Sequence, residues 1–470
     1  ITKLLYCIVI INKILMKNRL ILSCLCVIFA TSFKNLKAQN MTENIQPPVA
    51  KKIPTKLEKF GDVRIDNYFW LKDRENPEVI DYLNKENEYY QKMTAHTQEF
   101  QKELFEEMKA RIKEDDESVP YLYNGYFYIT RFEKGKDYPI YSRKKGSLSA
   151  KEEIMFDCNE LAKGKKYFNL SGLSVSADNQ FVTYAVDTVG RRIYTLRFKN
   201  LFTGEFLADK IENTTGNSTW ANDNKTIFYT KQDANTLRSD TVLKHILGTE
   251  TALDKLIYFE KDDTFDVAVG KEKSKKYILI SSSSTLTSEF RTLLADKPEG
   301  KFTIFQKRKR GLEYNISHYG DSFYIVTNKD KATNFKLMKT PELATAMENW
   351  QDVLEHREDV LLEDIDIFKD FLVVSERSNG LNKIRIMPWS GVGEYYLPFE
   401  SETYTVHPTS NVDFDTDILR YAYQSMVTPA SIIDFNMRTK DKVVKKEQEV
   451  LGGKFDKNNY IEERLWATAK

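Results

Sequence analysis

The feature that most constrains the fold is a repeat of strand-rich units along most of the chain. Short runs rich in Val, Ile, Tyr, Phe and Thr alternate with polar turns, and the units start about 46 to 52 residues apart. The seven unit starts are Tyr121, Leu173, Thr219, Phe265, Tyr314, Ile365 and Val412. A single four-stranded sheet cannot bury both faces, so radial stacking is expected. The spacing predicts an all-β, seven-bladed β-propeller. The alternative is a β-sandwich, which needs no such period.

A short α-helical segment is predicted ahead of the strands. Asn76 is a helix N-cap, Pro77 suits the first helical position, and Glu78 favours the first turn. Two apolar stripes follow at helical spacing and are interpreted as packing faces without chemistry: Ile80, Leu83, Tyr90 and Met93, then Phe100, Leu104, Met108 and Ile112. The predicted boundaries are 1–38 for upstream sequence and signal peptide, 39–66 for an extended lead-in, 67–117 for the helical segment, 118–450 for the propeller and 451–470 for a linker.

The N-terminus has the pattern of a secretory signal. The chain starts at Ile1, and Met16 is the better start because Lys17 and Arg19 then precede an apolar run over 20–30. Cleavage is predicted between Ala38 and Gln39. The apolar run is about a dozen residues, shorter than the roughly 20 that span a bilayer, so a membrane anchor is the weaker alternative. The prediction is export, to the periplasm, with membrane contact only through this segment.

Charge and cysteine content exclude several classes of partner. The chain has 70 Lys+Arg against 69 Asp+Glu, a balance that argues against nucleic acid as a partner. Three of the four cysteines lie in the N-terminal signal region. Cys158 alone lies in the body, so no disulfide framework is expected, and Cys158 is interpreted as a buried or idle thiol.

No active-site motif is found in the sequence. The segments at Gly172 and Gly216 each contain a serine but lack the closing glycine of a G-x-S-x-G turn. The five histidines are scattered, and neither metal-ligand spacing nor a phosphate-binding glycine loop occurs. We therefore predict no catalytic, cofactor-binding or metal-binding residue and no cofactor. The basic run 307–310 and the acidic run 114–117 are interpreted as solvated surface, although the basic run could recruit an acidic partner.

Several ordered segments resemble the prolyl oligopeptidase family of serine peptidases. The first is Asp66-Asn67-Tyr68-Phe69-Trp70-Leu71-Lys72-Asp73, followed by Glu75-Asn76-Pro77. Others resemble oligopeptidase B in particular: Asp187-Thr188-Val189-Gly190, His245-Ile246-Leu247-Gly248-Thr249, His356-Arg357-Glu358-Asp359-Val360 and Glu449-Val450-Leu451-Gly452-Gly453. The resemblance runs from about Pro47 to Lys470.

This resemblance implies a seven-bladed propeller that covers an α/β-hydrolase domain carrying a Ser, Asp and His triad. The triad follows the propeller in the family, so no triad residue can be assigned in this chain, and a truncated or frame-interrupted product is expected. The implied parent enzyme cleaves short basic peptides after Lys or Arg, with the propeller gating access and the hydrolase domain as its partner. The chain alone is expected to be inactive. The alternative is a stand-alone propeller that binds a protein or ligand.

Overall fold

The computed structural model describes residues 45–469, which divide into two units between Lys109 and Ala110. The predicted start at Met16, the signal segment and the cleavage site at Ala38 and Gln39 lie outside the described residues. Among residues 45–469, no helix is long and apolar enough to cross a membrane.

The first unit contains a small hairpin and two helices. Its elements are β1 (Thr55–Lys59), β2 (Asp62–Asp66), a 3-10 turn (Phe69–Lys72), α1 (Pro77–Thr94), a second 3-10 turn (Ala95–Thr97) and α2 (Gln98–Ala110). The predicted cap is confirmed, because the Asn76 side chain accepts a hydrogen bond from the Glu78 N–H at 2.9 Å and Pro77 is the first helical residue.

The two helical stripes predicted from the sequence are largely uncovered within this unit. Val79 is the one residue of α1 that is buried. The large apolar side chains left exposed on α1 and α2 are Ile80, Leu83, Tyr90, Phe100, Leu104, Phe105 and Met108. An apolar face of this size needs a partner surface to stabilise its helices.

The second unit consists of antiparallel sheets whose strands pair in chain order. Sheet A contains β3 (Tyr121–Tyr123), β4 (Tyr126–Arg131), β5 (Ile140–Lys145) and β6 (Glu152–Asp157), followed by the short helix α3 (Cys158–Ala162). Sheet B contains β7 (Asn169–Val175), β8 (Phe181–Asp187), β9 (Tyr194–Asn200), β10 (Phe206–Trp220), β11 (Thr226–Gln232), β12 (Ser239–Ile246) and β13 (Lys255–Phe259).

The remaining four sheets have four strands each. Sheet C contains β14 (Asp266–Lys271), β15 (Tyr277–Ser284), β16 (Thr287–Leu294) and β17 (Thr303–Ile304). Sheet D contains β18 (Tyr314–Tyr319), β19 (Ser322–Thr327), β20 (Lys336–Pro341) and β21 (Gln351–Leu354). Sheet E contains β22 (Val360–Ile367), β23 (Phe371–Ser378), β24 (Leu381–Pro388) and β25 (Tyr395–Tyr396). Sheet F contains β26 (Tyr404–Pro408), β27 (Ile418–Ser425), β28 (Ser431–Asn436) and β29 (Lys442–Glu447).

The prediction of seven blades is wrong. Five sheets are four-stranded blades, whereas the seven strands of sheet B form one continuous sheet. The reason is strand β10, which is 15 residues long and pairs with β9 through Ile211 and with β11 through Thr219. Register shifts along β10 absorb the change of partner without ending the strand. The sequence spacing marked a boundary at Thr219, where the backbone in fact continues.

Apolar clusters join each sheet to the next one along the chain. Cluster residues bridge A to B, B to C, C to D, D to E and E to F, and Phe156, Phe228, Phe323, Leu372 and Phe371 are buried examples. None of the six clusters formed by the described residues bridges F to A. That junction is polar: Arg420 on β27 donates to the Pro120 carbonyl at 2.7 Å, and Lys446 on β29 contacts the Asp116 carboxylate at 2.7 Å. The sheets thus form a ring that is closed by polar contacts.

Candidate functional site

The first hairpin turns of the sheets meet at one end of the ring, called here the turn end. In an antiparallel sheet of four strands, the chain enters and leaves at the same end of the strands. Its first turn therefore lies at the opposite end. Asn179 Nδ2 in sheet B donates to the Asn124 carbonyl in sheet A at 3.1 Å, and Asn124 Nδ2 donates to the Ala177 carbonyl at 2.6 Å. Hydrogen bonds between turns therefore define the turn end.

One turn extends to sheets that are not its neighbours. It joins β14 to β15, spans residues 272–276 and is called here the crossing turn. Lys275 Nζ donates to Asn124 Oδ1 of sheet A at 3.2 Å and lies 5.0 Å from the centre of the Tyr123 ring. Sheet B separates sheet A from sheet C, so Lys275 connects distant parts of the ring.

Lys273 makes the corresponding contact on the other side. Its Nζ lies 2.7 Å from Asp366 Oδ1 on β22 of sheet E and 3.7 Å from the centre of the Phe368 ring. Burial lowers the pKa of Lys273 and raises the pKa of Asp366, although the attraction between the two opposes both shifts. The crossing turn is thus held by one lysine to sheet A and by another to sheet E.

The base of the crossing turn is held by sheet D. Glu272 Oε2 accepts a hydrogen bond from the His318 N–H at 2.8 Å, and Ser274 Oγ lies 3.1 Å from His318 Nδ1. Burial raises the pKa of Glu272 to about 7, against the opposing effect of the His318 N–H. Burial also lowers the pKa of Lys271 to about 8. These shifts reflect dense protein packing around the turn.

Glu272 is expected to make stability depend on pH. Its folded pKa lies above the ordinary value of about 4.3, so its stabilising contribution is full below that pH and is lost as the pH rises through about 7. Glutamine does not ionise in this pH range, so the stability of the Glu272→Gln variant does not fall in this way as the pH rises. Relative to the parent chain, the variant should therefore gain on the order of 1–3 kcal/mol of unfolding free energy between pH 4.5 and 8.

Denaturant unfolding across that pH range measures the effect. The matched control is Glu355→Gln, which changes an exposed carboxyl group. A difference between the Glu272→Gln variant and the parent that stays constant from pH 4.5 to 8 would contradict the assignment of this carboxyl group.

The two serine-containing segments of the sequence lie in closely packed parts of sheet B. Gly172 on β7 lies against β10, where a Cβ atom would fall 1.9 Å from the Gly216 carbonyl oxygen, so only glycine fits there. The Ser174 carbonyl accepts from Trp220 Nε1 at 2.9 Å, and the Ser218 hydroxyl bonds to Thr183 Oγ1 at 2.8 Å. The Ser174 backbone and the Ser218 hydroxyl thus link β10 to β7 and β8, strands that are not its neighbours in the sheet.

Other residues singled out by the sequence have structural partners. Cys158 lies at the start of α3 and is buried, as predicted, and burial raises its pKa to about 12. Two residues of the charged runs form ion pairs while their side chains stay partly exposed, at 26% for Arg308 and 36% for Asp116. Arg308 lies 2.6 Å from Glu260 Oε2 and over the Phe265 ring, and Asp116 binds Lys446.

The crossing turn was missed because its sequence resembles an ordinary exposed hairpin tip. Residues 272–276 read Glu-Lys-Ser-Lys-Lys between two apolar strands, a composition typical of solvated turns. The partners of Lys275 and Lys273 lie 151 and 93 residues away in the chain. A local pattern cannot report contacts across the ring. The one available signal was the concentration of lysines in a turn of the repeated unit.

A family profile matches most of the chain. The family described as "Prolyl oligopeptidase, N-terminal beta-propeller domain" matches residues 47–448. Among curated proteins, the chain is 40% identical to dipeptidyl aminopeptidase BI of Pseudoxanthomonas mexicana, over 97% of this chain and 64% of that protein. It is 34% identical to protease 2 of Moraxella lacunata, over 90% of this chain and 61% of that protein.

Solved structures agree in fold. Oligopeptidase B from Leishmania major superposes with a TM-score of 0.82 at 30% identity, over 88% of this chain and 62% of that one. Oligopeptidase B from Trypanosoma brucei, with covalently bound antipain, gives a TM-score of 0.81 at 28% identity over the same shares. The chain thus spans less than two thirds of the length of each of these relatives.

Proposed function

Since the chain belongs to the prolyl oligopeptidase family and contains its N-terminal propeller domain, we propose that it is the propeller part of an oligopeptidase B-like serine peptidase. The proposed activity is cleavage of short peptides after Lys or Arg, carried out by an α/β-hydrolase domain with which this chain pairs. The propeller contributes no catalytic group and restricts which substrates reach the hydrolase domain.

The observation that carries the gating role is the crossing turn. Lys275 and Lys273 hold residues 272–276 across the turn end of the ring. A substrate is therefore expected to arrive from the opposite end, where the chain leaves sheet F. The segment after β29 runs along that end, since Arg464 donates to the Asn379 carbonyl and the Met426 N–H donates to Glu462 Oε2.

The exposed helical stripes support a hydrolase domain as partner. The apolar side chains of α1 and α2 are uncovered within their own unit, as Phe100 and Met108 illustrate at 64% and 60% exposure. A second domain that packs on them would remove apolar surface from water, at roughly 25 cal/mol per Å².

The chain should be tested alone and joined to a hydrolase domain taken from a relative. Alone, residues 39–470 are expected to give no turnover of Arg or Lys amides and no labelling by a serine-reactive phosphonate. The joined protein is expected to cleave a short N-blocked Arg amide. Turnover only of unblocked substrates would instead assign removal of dipeptides, and no turnover in a correctly folded fusion would favour a stand-alone binding propeller.

Gating is tested in the same joined protein. Replacing both Lys273 and Lys275 with alanine should relax the size limit, so that an unstructured protein such as casein is cleaved faster while short-peptide turnover is retained. Lys339→Ala is the matched control, because Lys339 is an exposed lysine on β20 outside the crossing turn. If the double variant has the same substrate size limit as the parent, the crossing turn does not restrict access of substrates.

Export of the chain is proposed on the signal pattern alone. Expression from Met16 in a bacterial host, followed by intact mass measurement of the periplasmic fraction, should give a product beginning at Gln39. A full-length product confined to the cytoplasm would contradict the proposal.

A further inference from the structure

A cavity of about 310 Å³ lies where sheet A meets β7 of sheet B. It is called here the tyrosine niche because four tyrosines line it: Tyr121, Tyr123, Tyr128 and Tyr141. Met155, Leu173 and Val175 supply apolar wall. The rings of Tyr121 and Tyr128 stack with their centres 5.4 Å apart, which fixes one side of the niche. A volume of a few hundred Å³ with mainly apolar walls suits one aromatic ring and a short substituent.

The niche contains a buried polar atom without a partner. Tyr128 is 7% exposed, and its hydroxyl has no hydrogen-bond partner among the described residues. Arg143 is paired directly opposite Tyr128 on the neighbouring strand, is fully buried, and has an unpartnered Nη2. Buried polar groups in folded proteins are nearly always paired. The Arg143 guanidinium can donate to the Tyr128 oxygen, which leaves the Tyr128 O–H without an acceptor among the described residues.

The rest of the Arg143 guanidinium is already engaged. Its Nε lies 2.8 Å from Glu153 Oε2, its Nη1 donates to the Asn179 carbonyl at 3.1 Å, and its centre lies 4.1 Å from the Tyr126 ring. Glu153 balances the charge of Arg143, so the niche has no excess charge for a ligand to neutralise. A guanidinium offers donors only. Arg143 can therefore act only as a donor to the Tyr128 oxygen, and the group that the Tyr128 O–H lacks is an acceptor.

The protonation of Tyr128 agrees with this assignment. Burial raises the pKa of Tyr128 to about 12, against the opposing effect of the Arg143 guanidinium. The phenol is neutral at physiological pH, so its oxygen can accept from Arg143 while its O–H donates towards the niche. A cation would lie near the buried guanidinium and is disfavoured.

We propose that the tyrosine niche binds small neutral aromatic compounds that carry a carbonyl oxygen, which accepts the hydrogen bond from the Tyr128 hydroxyl. The ring of the ligand packs between the tyrosine rings and the side chains of Met155 and Leu173. Val412, in the loop between β26 and β27 of sheet F, also lines the cavity, so residues from three sheets surround the ligand. This proposal is independent of the peptidase activity.

Acetophenone is the probe, and benzamidinium is its cationic counterpart of similar shape. Binding to residues 39–470 is measured by protein-detected NMR titration and by soaking crystals of the same protein. Acetophenone is expected to occupy the niche with its oxygen at Tyr128, and benzamidinium is expected to bind at least tenfold more weakly. Crystals with water molecules only in the niche, or equal affinity for the two probes, would overturn the proposal.

Two variants test the contacts separately. Tyr128→Phe removes only the hydroxyl and should weaken acetophenone binding about three- to tenfold, whereas Tyr167→Phe, at an exposed tyrosine outside the niche, should leave it unchanged. Leu173→Phe reduces the volume without touching the hydroxyl and should abolish binding, so a folding defect in one variant does not prevent the test. Equal affinity in the parent and Tyr128→Phe, or full binding by Leu173→Phe, would refute the assigned contacts.

Discussion

Replacing His245 with leucine is expected to lower the free energy of unfolding by about 3–5 kcal/mol. His245 on β12 is fully buried, and each ring nitrogen faces a carboxylate: Nδ1 lies 2.6 Å from Asp254 Oδ1, and Nε2 lies 3.0 Å from Asp209 Oδ1. The two aspartate side chains are 3% and 8% exposed. Leucine fills the space of the imidazole ring but cannot form hydrogen bonds. Both buried carboxylates therefore lose the contact that His245 makes with them.

The loss should extend to the contacts around the two carboxylates. Asp254 Oδ2 accepts from the Tyr229 hydroxyl at 2.7 Å, and Asp209 Oδ1 accepts from the Gly248 N–H at 2.6 Å. His245 therefore links β12 to the N-terminal part of β10 through Asp209, and to the turn before β13 through Asp254. Denaturant unfolding measures the change, and His407→Leu, at an exposed histidine on β26, is the control, expected within about 0.5 kcal/mol of the parent. Equal effects of the two substitutions would contradict the structural role of His245.

Much of the local structure follows from the sequence. The helix start at Asn76 is set by side chains that satisfy their own turn, so a local pattern predicts it. Apolar runs such as Phe181–Asp187 alternate with turn residues and form strands where expected. Two of the five scattered histidines, His245 and His318, are buried in contact with carboxylates.

The failures have a common physical cause, which is that they depend on contacts between distant residues. The continuity of β10 depends on which strands flank it, since the same residues could also end one sheet and begin another. The crossing turn depends on the position of Asn124 and Asp366 around the ring. A sequence period reports that similar units recur, but it carries no information about where one sheet merges with the next.

The junction between sheets F and A is expected to be the weakest in the ring. Among residues 45–469 it has no apolar cluster of the kind that joins every other pair of consecutive sheets, and a cavity of about 670 Å³ lies along it, lined by residues that include Ser118, Arg420 and Lys446. Arg420 is the central contact. It binds both oxygens of Asp434 at 2.6 and 2.9 Å and donates to the Pro120 carbonyl at 2.7 Å.

Arg420→Met should therefore cost on the order of 3 kcal/mol of unfolding free energy, because it leaves the Asp434 carboxylate, 17% exposed, without its cation and frees the segment before β3. The loss should be local. In hydrogen exchange, amides of β3, β4 and β27 should exchange faster, while those of β23 and β24, across the apolar junction of sheets E and F, should not change. Arg377→Met removes an exposed ion pair with Glu363 and should cost less than about 1 kcal/mol. Faster exchange spread evenly around the ring would mean that the polar junction is no weaker than the apolar ones.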